Sequence, residues 1–317
     1  MLDVVTFGEV MIRLSAPAGE SLESSSHFIV HAAGAEANVA VTLARMGFHT
    51  GWISKLADNP LGRRMAGELR RHGVDVSAII WTAQARAGLY FVEHAPPPRG
   101  VTVYYDRAGS AFSAITPEEI DWTYVQAAQW VHITGITPAL SDSCARTAAR
   151  IIKEARAAGR RISFDVNFRR KLWAADRARA VLEPLVDGVD ILIAAQEDAR
   201  DVFQVDGTAA ELAARLRGRS HAVATIVTAG AEGAYLADGT GVRHEPAVPG
   251  GEVDPIGRGD AFAAGVLWGA LEGDLAVGLR YGAALAALSQ TYWGDVPWST
   301  RQDVLAALAG RGPKPQR

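Results

Sequence analysis

The chain of 317 residues contains a single cysteine, Cys144. One thiol excludes an intrachain disulfide and any metal site built on several thiolates, which leaves the role of a small buried apolar residue. The eight histidines include no H-E-x-x-H motif; His27 and His31 are four apart, but the HFIVH run they bound lacks the glutamate, so no metalloprotease-type zinc motif is encoded. No run reaches the roughly 18 apolar residues of a membrane-spanning helix. The opening MLDVVTFGEV places Asp3 and Glu9 where a targeting peptide would carry basic residues, and it reads as a strand; a cytoplasmic, reducing setting is expected. Lys and Arg number 32 against 35 Asp and Glu, a net charge of -3, so there is no overall basic charge to bind nucleic acid. Two nucleotide-binding signatures are also missing. There is no Gly-Lys-Ser/Thr, and Gly8-Glu9 follows the first strand in place of G-x-G-x-x-G. A P-loop and a dinucleotide fold of the usual kind are therefore excluded.

Hydrophobic residues make up 49% of the chain and charged residues 21%, enough to build one large or two unequal globular domains. Val4–Phe7 predicts a buried strand, and 37–46 a helix stopped by Gly47. Residues 15–27 are rich in Ser, Pro and Gly and read as an excursion from the core. GLYFVEH and VTVYYD flank a Pro-Pro-Pro-Arg-Gly turn, which predicts a hairpin over 88–105. From Trp130 onward strands (VHITG, ISFDVN, ILIAA, TIVTAG, GAYLA) alternate with helical stretches, the last two being Ala-rich over 260–272 and 275–290. Alternation of this kind predicts a parallel sheet covered by helices, with ligands beyond the carboxyl ends of its strands.

Three segments at such ends carry chemistry. In Asp254-Pro-Ile-Gly-Arg-Gly-Asp260 two glycines precede a helix, so unpaired N–H groups at a positive helix end can hold an anion such as a phosphoryl group in transfer. Asp260 there is either the base that takes a proton from an attacking hydroxyl or an N-cap carboxylate. Ala33-Gly-Ala-Glu-Ala-Asn38 enters a second helix; Gly34 and Asn38 can meet substrate hydroxyls or serve as ordinary turn and cap residues. Asp165-Val-Asn-Phe-Arg169 ends a buried strand, and Arg169 can hold a carboxylate or phosphate, or lie on the surface. Tyr90, Tyr105 and Arg107 on the hairpin offer rings and a cation to a sugar.

GEVMIRL, AGAEANVAVTLARMG, FDVNFRRKLW, IVTAGAEGAYL and DPIGRGDAFAAG follow one another in this order. Together they resemble the ribokinase-like, PfkB-type sugar kinases, over residues 1 to about 305. GEVMIRLSAP, GLYF, YYDRAGSAFS and YWGDVPW are most similar to the 2-keto-3-deoxygluconate kinases of that family. The resemblance implies an α/β, ribokinase-like, Rossmann-type three-layer core with a small β-sheet lid. It implies one kinase domain over 1–310 with lid segments at about 13–31 and 86–110; the Gly/Pro/basic composition of 311–317 predicts a flexible tail. The implied reaction moves the ATP γ-phosphate to the terminal hydroxymethyl group of 2-keto-3-deoxygluconate. The alternatives are another acceptor (fructose, another ketohexose, a nucleoside or 2-keto-3-deoxygalactonate) or a non-catalytic sugar- or nucleotide-binding protein.

On this resemblance Asp260 is the base, and Gly257, Arg258 and Gly259 form the catalytic turn. Gly34, Asn38, Tyr90, Tyr105, Arg107, Asn167, Arg169 and Asp260 contact the sugar. Thr228, Gly230, Gly233, Gly257 and Gly259 meet the nucleotide. ATP and Mg²⁺ are implied, with Asp198 as a candidate metal ligand, a monovalent cation as a further expectation, and a homodimer or higher homo-oligomer formed through the lid. A carboxylate on the sugar gives Arg107 and Arg169 a purpose that a neutral sugar would not. Three positions depart from the family pattern. Arg258 stands where a small residue is usual and either points away or reaches the phosphate. Ala33 replaces a glycine, which adds strain if that position needs positive φ. Ala195-Gln-Glu-Asp198 replaces an Asn-x-x-Glu motif.

Overall fold

The computed structural model describes residues 1–310; the tail at 311–317 lies outside the described residues. The chain runs β1 (Leu2–Phe7), β2 (Met11–Ser15), β3 (Ile29–Ala33), α1 (Ala35–Arg45), β4 (Thr50–Ala57), α2 (Pro60–Arg71), β5 (Ile79–Thr82), β6 (Leu89–His94) and β7 (Val101–Asp106). It continues with α3 (Trp122–Gln126), β8 (Ala128–Thr134), α4 (Ile136–Ala139), α5 (Asp142–Ala157), β9 (Arg161–Asp165), α6 (Ala175–Val186), β10 (Ile191–Ala195) and α7 (Gln196–Phe203). The last third comprises α8 (Ala209–Ser220), β11 (Ala224–Thr228), β12 (Ala234–Asp238), β13 (Gly241–Glu245), α9 (Arg258–Glu272), α10 (Leu275–Ser289) and α11 (Arg301–Leu308).

A nine-stranded sheet has the order β13-β12-β11-β10-β9-β8-β1-β4-β5. From β5 through β11 all pairs are parallel, as the alternation predicts. The last two strands break the rule: β12 and β13 pair antiparallel. The reason is length. Five residues separate β11 from β12 and two separate β12 from β13, too few for a parallel crossover but sufficient for a hairpin. The chain leaves β1 toward β4 and β5, then returns to the other side of β1 at β8. That reversal is the topological switch point at which α/β sheets open a cleft.

Helices cover both faces. Buried side chains of α5, α6, α7 and α8 pack on one face around Ile151, Leu182, Val202 and Leu212. On the other face α1, α9 and α10 enclose Leu43, Trp268 and Leu285. Helix α9 is buried at every position from Asp260 to Ala270, which accounts for its lack of a polar face. Cys144 is buried in the first of these clusters, and Ser141 caps α5 by accepting from the Cys144 N–H.

A second sheet of four strands, in the order β3-β2-β6-β7, stands over the carboxyl ends of the large one. Its β6–β7 pair is the hairpin expected at 88–105. The segment at 15–27 does leave the core, but strands β2 and β3 flank it and add two members to the sheet. Ala33 ends β3 fully buried and has no positive φ, so the expected strain does not arise. Among the described residues no helix is long and apolar enough to cross a membrane.

Candidate active site

Between the two sheets lies a cleft of about 1710 Å³. Its floor is made by the carboxyl ends of β9, β10 and β11, which present Asp165, Ala195 and Thr228, and its roof by Met11, Tyr90 and Val103 of the small sheet. The turn before α9 forms one wall.

Helix α9 begins at Arg258, two residues earlier than the sequence suggests, so Asp260 lies inside its first turn. The N-cap is Gly257, and no side chain caps the helix. The N-cap reading of Asp260 is thereby corrected: its carboxylate turns away from the helix end to accept a 2.7 Å hydrogen bond from Asn38 Nδ2. Asp260 is 8% exposed. Burial pushes its pKa up to about 7, against the lowering pull of the Asn38 hydrogen bond and the Arg169 charge. A carboxylate poised near neutrality in a cleft is suited to general-base work.

Gly257 adopts φ 85°, and a Cβ there would collide with the backbone carbonyl of Asp295. Only glycine meets both demands. Gly259 faces open space, so the turn presents bare backbone toward the cleft. Arg258 is exposed and leans toward Gln290 at 3.4 Å.

Asn38 and Gly34 are tied to each other and to Asp260. The Gly34 N–H donates to Asn38 Oδ1 at 3.3 Å, so Asn38 has one amide end on its own helix start and the other on Asp260. The contact with Gly34 is the cap role that the sequence leaves open beside substrate binding. Asn38 holds the carboxylate in place while remaining on the cleft wall. Gly34 has extended backbone, and a Cβ there would strike the Glu9 carbonyl. Glu36, between them in sequence, is fully buried. It accepts from the Thr134 N–H and from the hydroxyls of Thr134 and Thr137 at 2.7–3.0 Å, which pins α1 against β8.

The two arginines expected to meet a substrate carboxylate differ. Arg169 lines the cleft and has no side-chain partner among the described residues. Its charge reaches Asp165, Asp198 and Asp260, lowering the pKa of each against the upward push of burial. Arg107 is nearly buried and paired with Glu9, with Nε at 2.9 Å from Oε2. Arg107 also lines the cleft, but its charge is already matched by Glu9, whereas that of Arg169 is not. Tyr90 is paired likewise: its hydroxyl donates to Asp295, 2.9 Å from each oxygen, so the residue offers the cleft only its ring. Tyr105 stacks on that ring with centroids 5.6 Å apart.

Asn167 carries φ 39°, a left-handed conformation that asparagine tolerates, and it bends the strand end so that Arg169 enters the cleft. Lys171, farther along the same loop, donates to the Val103 carbonyl of the small sheet at 3.0 Å. Asp198 accepts from the Phe168 N–H at 3.1 Å, and burial raises its pKa to about 6. No cluster of three His, Cys, Asp or Glu ligands occurs among the described residues. The set of Asp198 and Glu197 on the cleft wall suits a magnesium ion held mostly by phosphate oxygens and water. Thr228, Gly230 and Gly233 also line the cleft. A Cβ at Gly233 would strike the Glu245 carbonyl.

Glu9, Asp165, Asp254 and Asp295 fall inside motifs that the sequence marks, but the sequence assigns none of them a site role of its own. Asp165 shares the buried floor with Asp260, and burial holds its pKa well above the usual value. An isolated acid ending an apolar strand was the available signal.

The pfkB family carbohydrate kinase profile matches residues 1–300. A 2-dehydro-3-deoxygalactonokinase of Haloferax volcanii is 41% identical over 309 residues, 97% of each chain. A 2-dehydro-3-deoxygluconokinase of Bacillus subtilis is 34% identical over 97% of this chain and 95% of its own. The crystal structure of a 2-dehydro-3-deoxygluconokinase from Thermotoga maritima superposes with a TM-score of 0.92 at 31% identity, covering 98% of both chains. The chain belongs to the pfkB family of carbohydrate kinases.

Proposed function

We propose that the protein is an ATP-dependent kinase that phosphorylates the terminal hydroxymethyl oxygen of 2-keto-3-deoxygluconate. The observation that carries this reading is a buried carboxylate with a pKa of about 7, Asp260, in the same cleft as an unpaired guanidinium, Arg169. Arg169 takes the sugar carboxylate in bidentate fashion. Tyr90 and Tyr105 cover an apolar face of the sugar, and Gly34, Asn38, Asn167 and Arg107 complete its enclosure.

Asp260 accepts the hydroxyl proton as the oxygen attacks the γ-phosphorus. The new O–P bond forms while the bond to the β,γ-bridging oxygen breaks, and ADP leaves with that electron pair. The backbone N–H groups at Gly257–Gly259, at the positive end of α9, face the charge on the transferring group. Arg258 leans toward Gln290 on the wall of the same cleft, and we assign it little of the stabilisation of that charge. Thr228, Gly230 and Gly233 line the nucleotide half of the cleft. Asp198 and Glu197 would hold a magnesium ion bound with the nucleotide, and that ion would supply neutralisation of phosphate charge.

The galacto epimer is a second acceptor reading, favoured by the 41% identity to the Haloferax volcanii 2-dehydro-3-deoxygalactonokinase. An enzyme acting through the small sheet as a homo-oligomer fits the exposed Ile29, Val101 and Tyr104 on its edge strands. The test is incubation with Mg·ATP and each epimer, with the product read by phosphorus–proton coupling. Phosphate on the terminal carbon supports the reading; transfer to another oxygen, or to neither acid, overturns it.

A further inference from the structure

The interior of β2 contains a charge that its sequence does not need for packing. Arg13 lies between Ile12 and Leu14, is 0% exposed, and takes a place that an apolar side chain would fill at less cost in desolvation. Its guanidinium donates to Asp295 Oδ1 at 2.6 Å, to Ser15 Oγ at 2.9 Å, to His94 Nε2 at 2.8 Å, and to Asp254. A guanidinium only donates, so His94 Nε2 is the acceptor and the imidazole is neutral.

Both carboxylates belong to the loops that shape the turn before α9. Asp254 opens that turn. Its Oδ1 accepts from the Ile256 N–H and its Oδ2 from the Gly294 N–H, each at 3.1 Å. The Asp295 carbonyl is the surface against which Gly257 packs. The small-sheet members of the cluster share one face: Arg13 and Tyr90 stand opposite each other in the β2–β6 register, and Tyr90 donates to Asp295. One cation thus joins the roof of the cleft to both sides of the turn.

We propose that Arg13 is a positioning residue for phosphoryl transfer: through Asp254 and Asp295 it fixes the backbone amides of Gly257–Gly259 in the geometry an anion requires. It touches neither sugar nor nucleotide. The proposal rests on the kinase reading above for the identity of that anion. Displacement of such groups by about 1 Å costs on the order of a hundredfold in rate.

The test compares wild type, Arg13→Lys and Arg13→Met by steady-state kinetics, by direct titration of the acid sugar, and by amide hydrogen exchange. Arg13→Met is expected to lower kcat about a hundredfold while sugar affinity changes less than about threefold. Exchange over 254–260 is expected to quicken while α5 stays protected. Arg13→Lys keeps the charge but has three donors and no planar fork, so it cannot serve Asp254, Asp295, Ser15 and His94 together, and its kcat falls between the other two. If Arg13→Met does not fold, Arg13→Met with Asp254→Asn removes one charge of each sign and carries the same expectations. A folded variant with wild-type kcat overturns the proposal, and so does one whose loss of kcat comes with unchanged exchange over 254–260. If the wild-type protein transfers no phosphate, the kinase reading fails, and the exchange arm alone decides whether Arg13 holds the turn.

Discussion

Replacing Asp260 with asparagine separates two effects that the buried carboxylate exerts in opposite directions. As a base it must be ionised, yet burial disfavours the ionised form and moves its pKa from the ordinary 3.8 to about 7. A carboxylate with a raised folded-state pKa contributes stability below its unfolded pKa and loses it as pH rises through the folded value. At about 1.4 kcal/mol per pH unit, ionised Asp260 costs about 4 kcal/mol at pH 8. The substituted asparagine would be neutral throughout and could still accept from Asn38. Asp260→Asn should therefore be more stable than wild type by up to about 4 kcal/mol at pH 8, an advantage that shrinks toward pH 5. At roughly 2 °C per kcal/mol for a chain this long, calorimetry should show a Tm rise of about 4–8 °C at pH 8. The same variant should lose about 10²–10⁴ in kcat while still binding sugar, and wild-type kcat/KM should show an acid limb near the pKa of about 7. Near-normal turnover in Asp260→Asn would refute its role as base. A Tm difference independent of pH would refute the burial argument.

Arg258→Ala should leave kcat within about threefold of wild type, whereas an arginine finger would lose on the order of 10³ or more; steady-state kinetics separate the two. Arg169→Ala should reduce kcat/KM for the acid sugar about a hundredfold, roughly 3 kcal/mol for a charge-assisted pair, and leave a neutral hexose unaffected. Arg107→Ala should act mainly on stability, measured by urea unfolding, because it strands the buried Glu9 carboxylate. Gly257→Ala should lower both kcat and Tm, since the new methyl meets the Asp295 carbonyl and the φ of 85° is unfavourable for alanine. Unchanged kinetics in that variant would count against the turn as the anion site.

The parts of the fold legible in the sequence are those whose pattern is local. The apolar strands, the helix stopped by Gly47 and the hairpin around Pro-Pro-Pro-Arg-Gly all carry their own punctuation. Strand β13 went unread because Gly-Val-Arg-His-Glu is exposed at nearly every position and shows no alternation. Strand β2 was obscured by Arg13, an ion inside an apolar run whose counter-ions Asp254 and Asp295 lie more than two hundred residues away. Antiparallel β12 was implicit in the short connection from β11.

For the site, the motif residues met in one cleft because they sit at strand ends and helix starts, where the rule for α/β sheets places ligands. What stayed hidden was pairing. Arg107 with Glu9 and Tyr90 with Asp295 are contacts between remote segments, and each changes what a residue can offer a ligand. Asn38 likewise shows its restraint on Asp260 only once α1 and α9 are side by side.

The central claim is that this cleft selects an acid sugar through Arg169 and phosphorylates it through Asp260. The most direct measurement is the ratio of kcat/KM for 2-keto-3-deoxygluconate to that for fructose with the wild-type protein and Mg·ATP. The account predicts a ratio of about a hundredfold or more, from one charge-assisted pair that fructose cannot make. A ratio near one, or in favour of fructose, would contradict it.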